Sequence, residues 1–286
     1  MVGPLLALLA ALAYGSGDFA AGVAARRVAA VPVAVVAQTV GLFAIAAAVL
    51  IYPGAGPSAE ALTWGAISGV GAGVGTLALY QGLSVGAMSV VAPVSAVLAA
   101  ALPAAVGLLA GEMLPVPGLI GMVVGVLAIG LVSATTTPGP ASGSGAPRYA
   151  WAPLGFGTLS GAGFALLFVA LDRAGTRAGA WPVLPSQAVA LLLILALAVM
   201  TGHRPRRSWR PAVAPAVFTG IVGAAATLLF LVATGTGQLA VVAVITALYP
   251  AATVILARLL LSERWTRPQI VGLLAAATAT ALISLS

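Results

Sequence analysis

Residues 235–272 read GTGQLAVVAVITALYPAATVILARLLLSERWTRPQIVG, and a diverged copy of this stretch begins at Ser84. The copies lie 151 residues apart, Glu263 minus Glu112. In that register Gly86 pairs with Gly237, Val90 and Val91 with Val241 and Val242, Glu112 with Glu263, Pro117 with Pro268, Gly121 with Gly272 and Ser133 with Ser284. Matches among Ala, Val and Leu arise readily by chance in an apolar chain, whereas matches of Gly, Glu, Pro and Ser in register do not. The chain is a duplication, and both copies are apolar enough to lie in a bilayer.

Composition sets the class. Hydrophobic residues make up 62% of the 286 and charged residues 6%, with a mean hydropathy of +1.17, which excludes a soluble globular domain. There is no Cys, hence no disulfide framework, thiolate metal site or cysteine nucleophile. All 12 basic residues are Arg, which together with the Ala and Gly enrichment points to a GC-rich bacterial genome and so to the bacterial inner membrane. The arginines, Arg258 apart, fall in connections rather than in a stripe interleaved with aromatics, so nucleic acid is not the expected partner and membrane orientation explains the charge.

A spanning helix needs about 20 apolar residues. Positions 61–111 hold no charge over 51 residues, too many for one span, so a turn is expected at Ser84-Val85-Gly86; the same argument places a turn at Gly235-Thr236-Gly237. The remaining breaks give ten all-α spans, at 4–24, 30–52, 62–84, 87–110, 115–135, 153–172, 181–201, 212–234, 238–261 and 267–285. Residues 1–137 then form a first five-helix repeat, 138–150 a Pro/Gly/Ser linker, and 151–286 a second repeat. The first segment is read as a full span rather than a cleaved signal peptide, because it lacks a basic start.

Five spans per half force the copies into opposite orientations, an inverted repeat. Such a layout is a hallmark of secondary transporters, whose substrate site lies between the repeats near the midplane. Odd-numbered connections hold Arg26, Arg27, Arg148, Arg204, Arg206, Arg207, Arg210, Arg264 and Arg267, against Arg173 and Arg177 in the even-numbered ones. The positive-inside rule then puts both chain ends outside.

With Gly86, Glu112, Pro117 and Gly121 repeated as Gly237, Glu263, Pro268 and Gly272, together with Gln238, Pro250 and Gln269, the chain resembles the EamA-type domain of the drug/metabolite transporter superfamily over essentially its whole length. The first half departs from the pattern, with Ala87 and Ala99 where Gln238 and Pro250 would align. The resemblance implies a ten-helix basket, a central cavity, and export or exchange of small metabolites by alternating access. It also implies cytoplasmic chain ends, contrary to the Arg distribution.

Asp18 is the side chain that stands out. It follows YGSG deep in the first span, where an ionised carboxylate costs about 2.5–3.5 kcal/mol unless it meets water or a partner. It is read as a proton-coupling group or an anchor for a substrate ammonium, against a carboxylate near the helix end that pairs with Arg26 or reaches the interface. Tyr14, Gln38, Tyr80, Gln81, Gln187, Gln238 and Tyr249 are neutral candidates for the cavity wall, against simple interhelical bonding worth about 0.6–2 kcal/mol. Pro93, Pro103 and Pro250 are candidate helix breaks. Glu112 and Glu263, each just before a Pro-containing helix start, are read as structural caps, and Asp172 with Arg173 as an interfacial pair. The glycines at 65, 69, 71, 73 and 75, echoed by Gly220 and Gly223, permit close helix contact and are not a phosphate loop.

No metal or cofactor is expected. The single His, at 203, and the absence of HExxH or a paired intramembrane acid argue against an intramembrane enzyme. A channel would require charged rings or a backbone filter, and a scaffold leaves the inverted repeat unexplained. The expected partners are the bilayer, a small organic substrate lacking multiple negative charges, and protons as a coupling ion.

Overall fold

The computed structural model describes residues 2–25, 28–84, 88–133, 152–200, 210–261 and 265–284. Among these residues the chain is all-helical: α1 (Val2–Ala25), α2 (Ala30–Ile51), α3 (Ala59–Ser84), α4 (Met88–Leu109), α5 (Val116–Ser133), α6 (Ala152–Ala174), α7 (Val183–Met200), α8 (Arg210–Thr234), α9 (Leu239–Thr246), α10 (Tyr249–Leu261) and α11 (Arg267–Ser284). Among the described residues nine stretches are long and apolar enough to cross a membrane, with Leu239–Leu261 counted as one, and α11 is a further apolar helix. The molecule is a multi-pass membrane protein. Gly86, Glu263, Arg26, Arg27, the 138–150 linker and the Arg cluster at 204–207 lie outside the described residues.

The boundaries fall within three residues of those expected, with one difference in kind: the ninth span is two helices. Pro250 lacks a backbone donor, and its ring excludes the carbonyl four residues back, so the turn through Ala247 and Leu248 separates α9 from α10. Pro250 becomes the second residue of α10, where its fixed φ suits a helix start. The corresponding position in the first half is Ala99 (250 minus 151), and α4 runs unbroken, carrying Pro93 and Pro103 within it. Pro117 and Pro268 occupy the second positions of α5 and α11.

The halves pack reciprocally. Helix α1 lies on α8 as α6 lies on α3, α2 on α8 as α7 on α3, and α1 on α9 and α10 as α6 on α4. Small residues set these contacts. A Cβ on Gly121, at the start of α5, would meet Leu282 and Ile283 at the end of α11; one on Gly272, at the start of α11, would meet Leu131 and Val132 at the end of α5. Helices α5 and α11 are therefore antiparallel. Lipid-facing side chains such as Leu5, Leu9 and Leu12 on α1 and Leu119 and Val123 on α5 are exposed, while Ala and Val dominate the interior.

Candidate functional site

Along α1 the residues 7, 11, 14, 18 and 22 recur at helical spacing and form one stripe. Ala7 and Ala11 at its lower end are 0% and 3% exposed, Tyr14 is half-buried, and Asp18 and Gly22 are exposed. The opposite stripe, with Leu5, Leu9 and Leu12, faces lipid. Space thus opens along the inward face of α1 from Tyr14 to the end of the helix, and Asp18 lies within it. A Cβ on Gly22 would meet nothing within 4 Å.

The inner end of this space is aromatic. Tyr14 meets Tyr249 edge-on, with ring centroids 6.3 Å apart, and Phe168 of α6 likewise at 6.4 Å; Phe168 stacks on Phe230 of α8 at 4.4 Å. Phe168 and Phe230 are almost fully buried and make a floor. Thr227 gives its hydroxyl proton to the Gly223 carbonyl at 2.9 Å, so in the 2.8 Å contact with Tyr14 the phenol is the donor. That bond helps to fix the ring's orientation.

Glycines bring these groups together. A Cβ on Gly15 would collide with the Tyr249 carbonyl and with Ala252, so only glycine lets α1 approach the start of α10. Thr253 of α10 donates to the Gly15 carbonyl at 3.0 Å, and Thr219 of α8 donates to that of Gly17 at 3.0 Å. The YGSGD segment is thereby clamped on two sides, and Asp18 comes within electrostatic range of the Tyr14 and Tyr249 rings. Among the described residues no cation pairs with Asp18.

Of the residues singled out in the sequence, Tyr14, Asp18 and Tyr249 converge here. Gln187 is buried and packs against Gly41 of α2, Gln38 is half-buried in α2, and Gln81 is exposed near the end of α3; the Tyr80 side chain lies outside what is described. Gln238 sits at the opposite face of the molecule, donating to the Met113 carbonyl at 3.1 Å. Thr227, Phe168, Phe230 and Thr253 escaped the sequence reading. Threonines inside the eighth and ninth spans were the available signal; a Phe in an apolar span gives none. On the lipid side of α1 a shallow groove of 410 Å³ is lined by Leu12, Ala13, Ser16, Ala252, Ile255 and Leu256, away from the carboxylate and rings.

Glu112 corrects its expected role in part. It does cap a helix, but α9 of the other half rather than the α5 that follows it: Oε1 accepts the Leu239 N–H at 2.7 Å and Oε2 the Ala240 N–H at 2.9 Å. Asp172 lies in electrostatic range of both Arg173 and Glu112.

Residues 151–285 match the model of the EamA-like transporter family. A solved structure titled only as the crystal structure of a protein aligns with a TM-score of 0.71, over 99% of this chain and 96% of its own, at 17% identity; the likeness concerns fold. No curated protein matches the sequence. The second half of the chain, residues 151–285, thus matches the EamA-like transporter family, and the solved structure extends the likeness in fold along its entire length.

Proposed function

We propose that this protein is a secondary transporter that moves a small organic molecule bearing an ammonium or similar cationic group outward across the bacterial inner membrane, by alternating access. One observation carries the reading: a carboxylate deep in a membrane helix, exposed to an inward-facing space, beside tyrosine rings and without a cationic partner among the described residues. Intramembrane acids are retained for ion or substrate pathways, and aromatic faces attract cations within about 6 Å. Asp18, Tyr14 and Tyr249 form the proposed binding site. Protons compete for the same carboxylate and serve as the coupling ion.

The inverted-repeat reading is supported by the antiparallel α5–α11 pair. The residues that meet there, Gly121 with Ile283 and Gly272 with Val132, exchange under the 151-residue shift. A second exchange supports it: Gly220 abuts Ala37 and Val40, and Gly69 abuts Ser186 and Val189, each partner displaced by 149 residues, as are Gln38 and Gln187. A twofold relation of this kind gives two conformers of similar energy, open to opposite faces.

Purified protein in liposomes is expected to take up labelled benzyltrimethylammonium with saturation, faster under an opposing proton gradient. Uptake linear in concentration would indicate a channel, and no uptake of this cation or of a neutral analogue would defeat the transporter reading. A reporter fused to the C-terminus and active only outside the cytoplasm is expected to give signal, following the Arg distribution. Signal from a cytoplasm-specific reporter would reverse the orientation without touching the site.

A further inference from the structure

The face of the molecule at which α1 begins is held shut by bonds between the two halves of the chain. Ala180 N–H donates to the Tyr52 carbonyl at 2.9 Å and Ala55 N–H to that of Arg177 at 2.8 Å, joining the α2–α3 loop to the α6–α7 loop. Gly3 lies against Gly237 so closely that a Cβ on Gly3 would stand 2.9 Å from the Gly237 Cα. Between these contacts the Glu112 carboxylate, from the loop after α4, spans the Leu239 and Ala240 amides, while Gln238 returns a bond to Met113. A carboxylate on free amides at a helix start gains from both charge-assisted hydrogen bonding and the helix dipole.

We infer that Glu112 is the latch of this face: it holds α9 down while the Asp18 chamber is open at the other end, and the exchange between conformers requires its release. The inference rests on the alternating-access reading. An ordinary cap ties a helix to its own preceding loop and is indifferent to movement between the halves. This one ties the first half to a short helix of the second, whose far end reaches, through Ala247 and Leu248, the Tyr249 of the chamber wall. Holding the start of α9 therefore also holds the wall. Glu112 touches no part of the chamber, so it acts as a positioning residue on the equilibrium between conformers.

The absence of cysteine makes the test free of background. Ala7→Cys reports on the closed end, because Ala7 is fully buried on the inward stripe beneath the latch. Gly22→Cys reports on the open end. Each is combined with Glu112→Ala and, in case that variant folds poorly, Glu112→Gln, then treated with a membrane-impermeant maleimide from either side of the vesicle. Glu112→Ala is expected to speed labelling at position 7 about tenfold and to slow it at position 22, as an equilibrium shift demands. Gln, retaining one acceptor without charge, falls between. Unchanged rates at position 7 reduce Glu112 to a cap, and faster rates at both positions mean general loosening; either result overturns the latch. The labelling needs no substrate, so its failure leaves the transport reading to be judged by uptake.

Discussion

Asp18→Asn is expected to raise the KM for benzyltrimethylammonium by about thirtyfold or more, the equivalent of roughly 2 kcal/mol lost when one partner of a desolvated charge pair is removed. The variant is expected to fold at least as well as the parent. Asparagine matches aspartate in volume, no described residue pairs with the carboxylate, and a charge at this depth opposes folding by about 2.5–3.5 kcal/mol. A loss of binding with unchanged or higher melting temperature separates a binding residue from a structural one. The same variant is expected to abolish uptake driven by an imposed pH gradient, because asparagine carries no proton. Tyr14 and Tyr249, which lie in electrostatic range of Asp18, are phenols that ordinarily ionise only near pH 10 and do not replace it. Gradient-driven uptake that persists in Asp18→Asn would remove this carboxylate from coupling, and an unaltered KM would remove it from recognition.

How legible was this site in the chain? The spans were, because about 20 apolar residues are a physical requirement that few alternatives meet, and the break at Pro250 was, because the missing donor is written in the residue. The depth of Asp18 followed from its position in the first span. The partner of Glu112 did not follow. Its proximity to Pro117 argued for a local cap, whereas the partner lies 127 residues away, in a register that only the packing of the halves defines. For the same reason Gln187 and Gln238, polar and well placed in sequence, fall away from the rings, and Phe168 and Phe230, indistinguishable from lipid-facing Phe43 and Phe218, form the floor. Pro93 and Pro103 show the reverse limit: a proline inside a span permits a break, and α4 continues through both.

Gly163→Leu is expected to prevent assembly of the bundle, and it shows which glycines of the small-residue pattern matter. Helices α3 and α6 meet backbone to backbone at this point. A Cβ on Gly163 would stand 2.6 Å from the Gly75 nitrogen, 2.7 Å from the Gly75 Cα and 2.8 Å from the Gly71 carbonyl oxygen. None of these atoms belongs to a flexible side chain, so the only relief is to part the helices. In a bilayer that separation is serious, since helices associate there by close packing rather than by the hydrophobic effect. Overpacking a core ordinarily costs about 1–3 kcal/mol, and with three backbone obstacles the loss is expected at about 3 kcal/mol or above. Gly163→Ala, with one carbon, is expected to melt at lower temperature without aggregating. Gly223 of α8 belongs to the same sequence pattern, yet a Cβ there would meet nothing within 4 Å. Gly223→Ala is expected to raise stability by about 0.5–1 kcal/mol through the reduced freedom of the unfolded chain. Thermal melts of the three variants in one detergent, followed by Trp fluorescence, check the order. A Gly163→Leu protein that melts with the parent would mean that α3 and α6 do not touch here, and the placement of Phe168 against Tyr14, which depends on that contact, would fall with it.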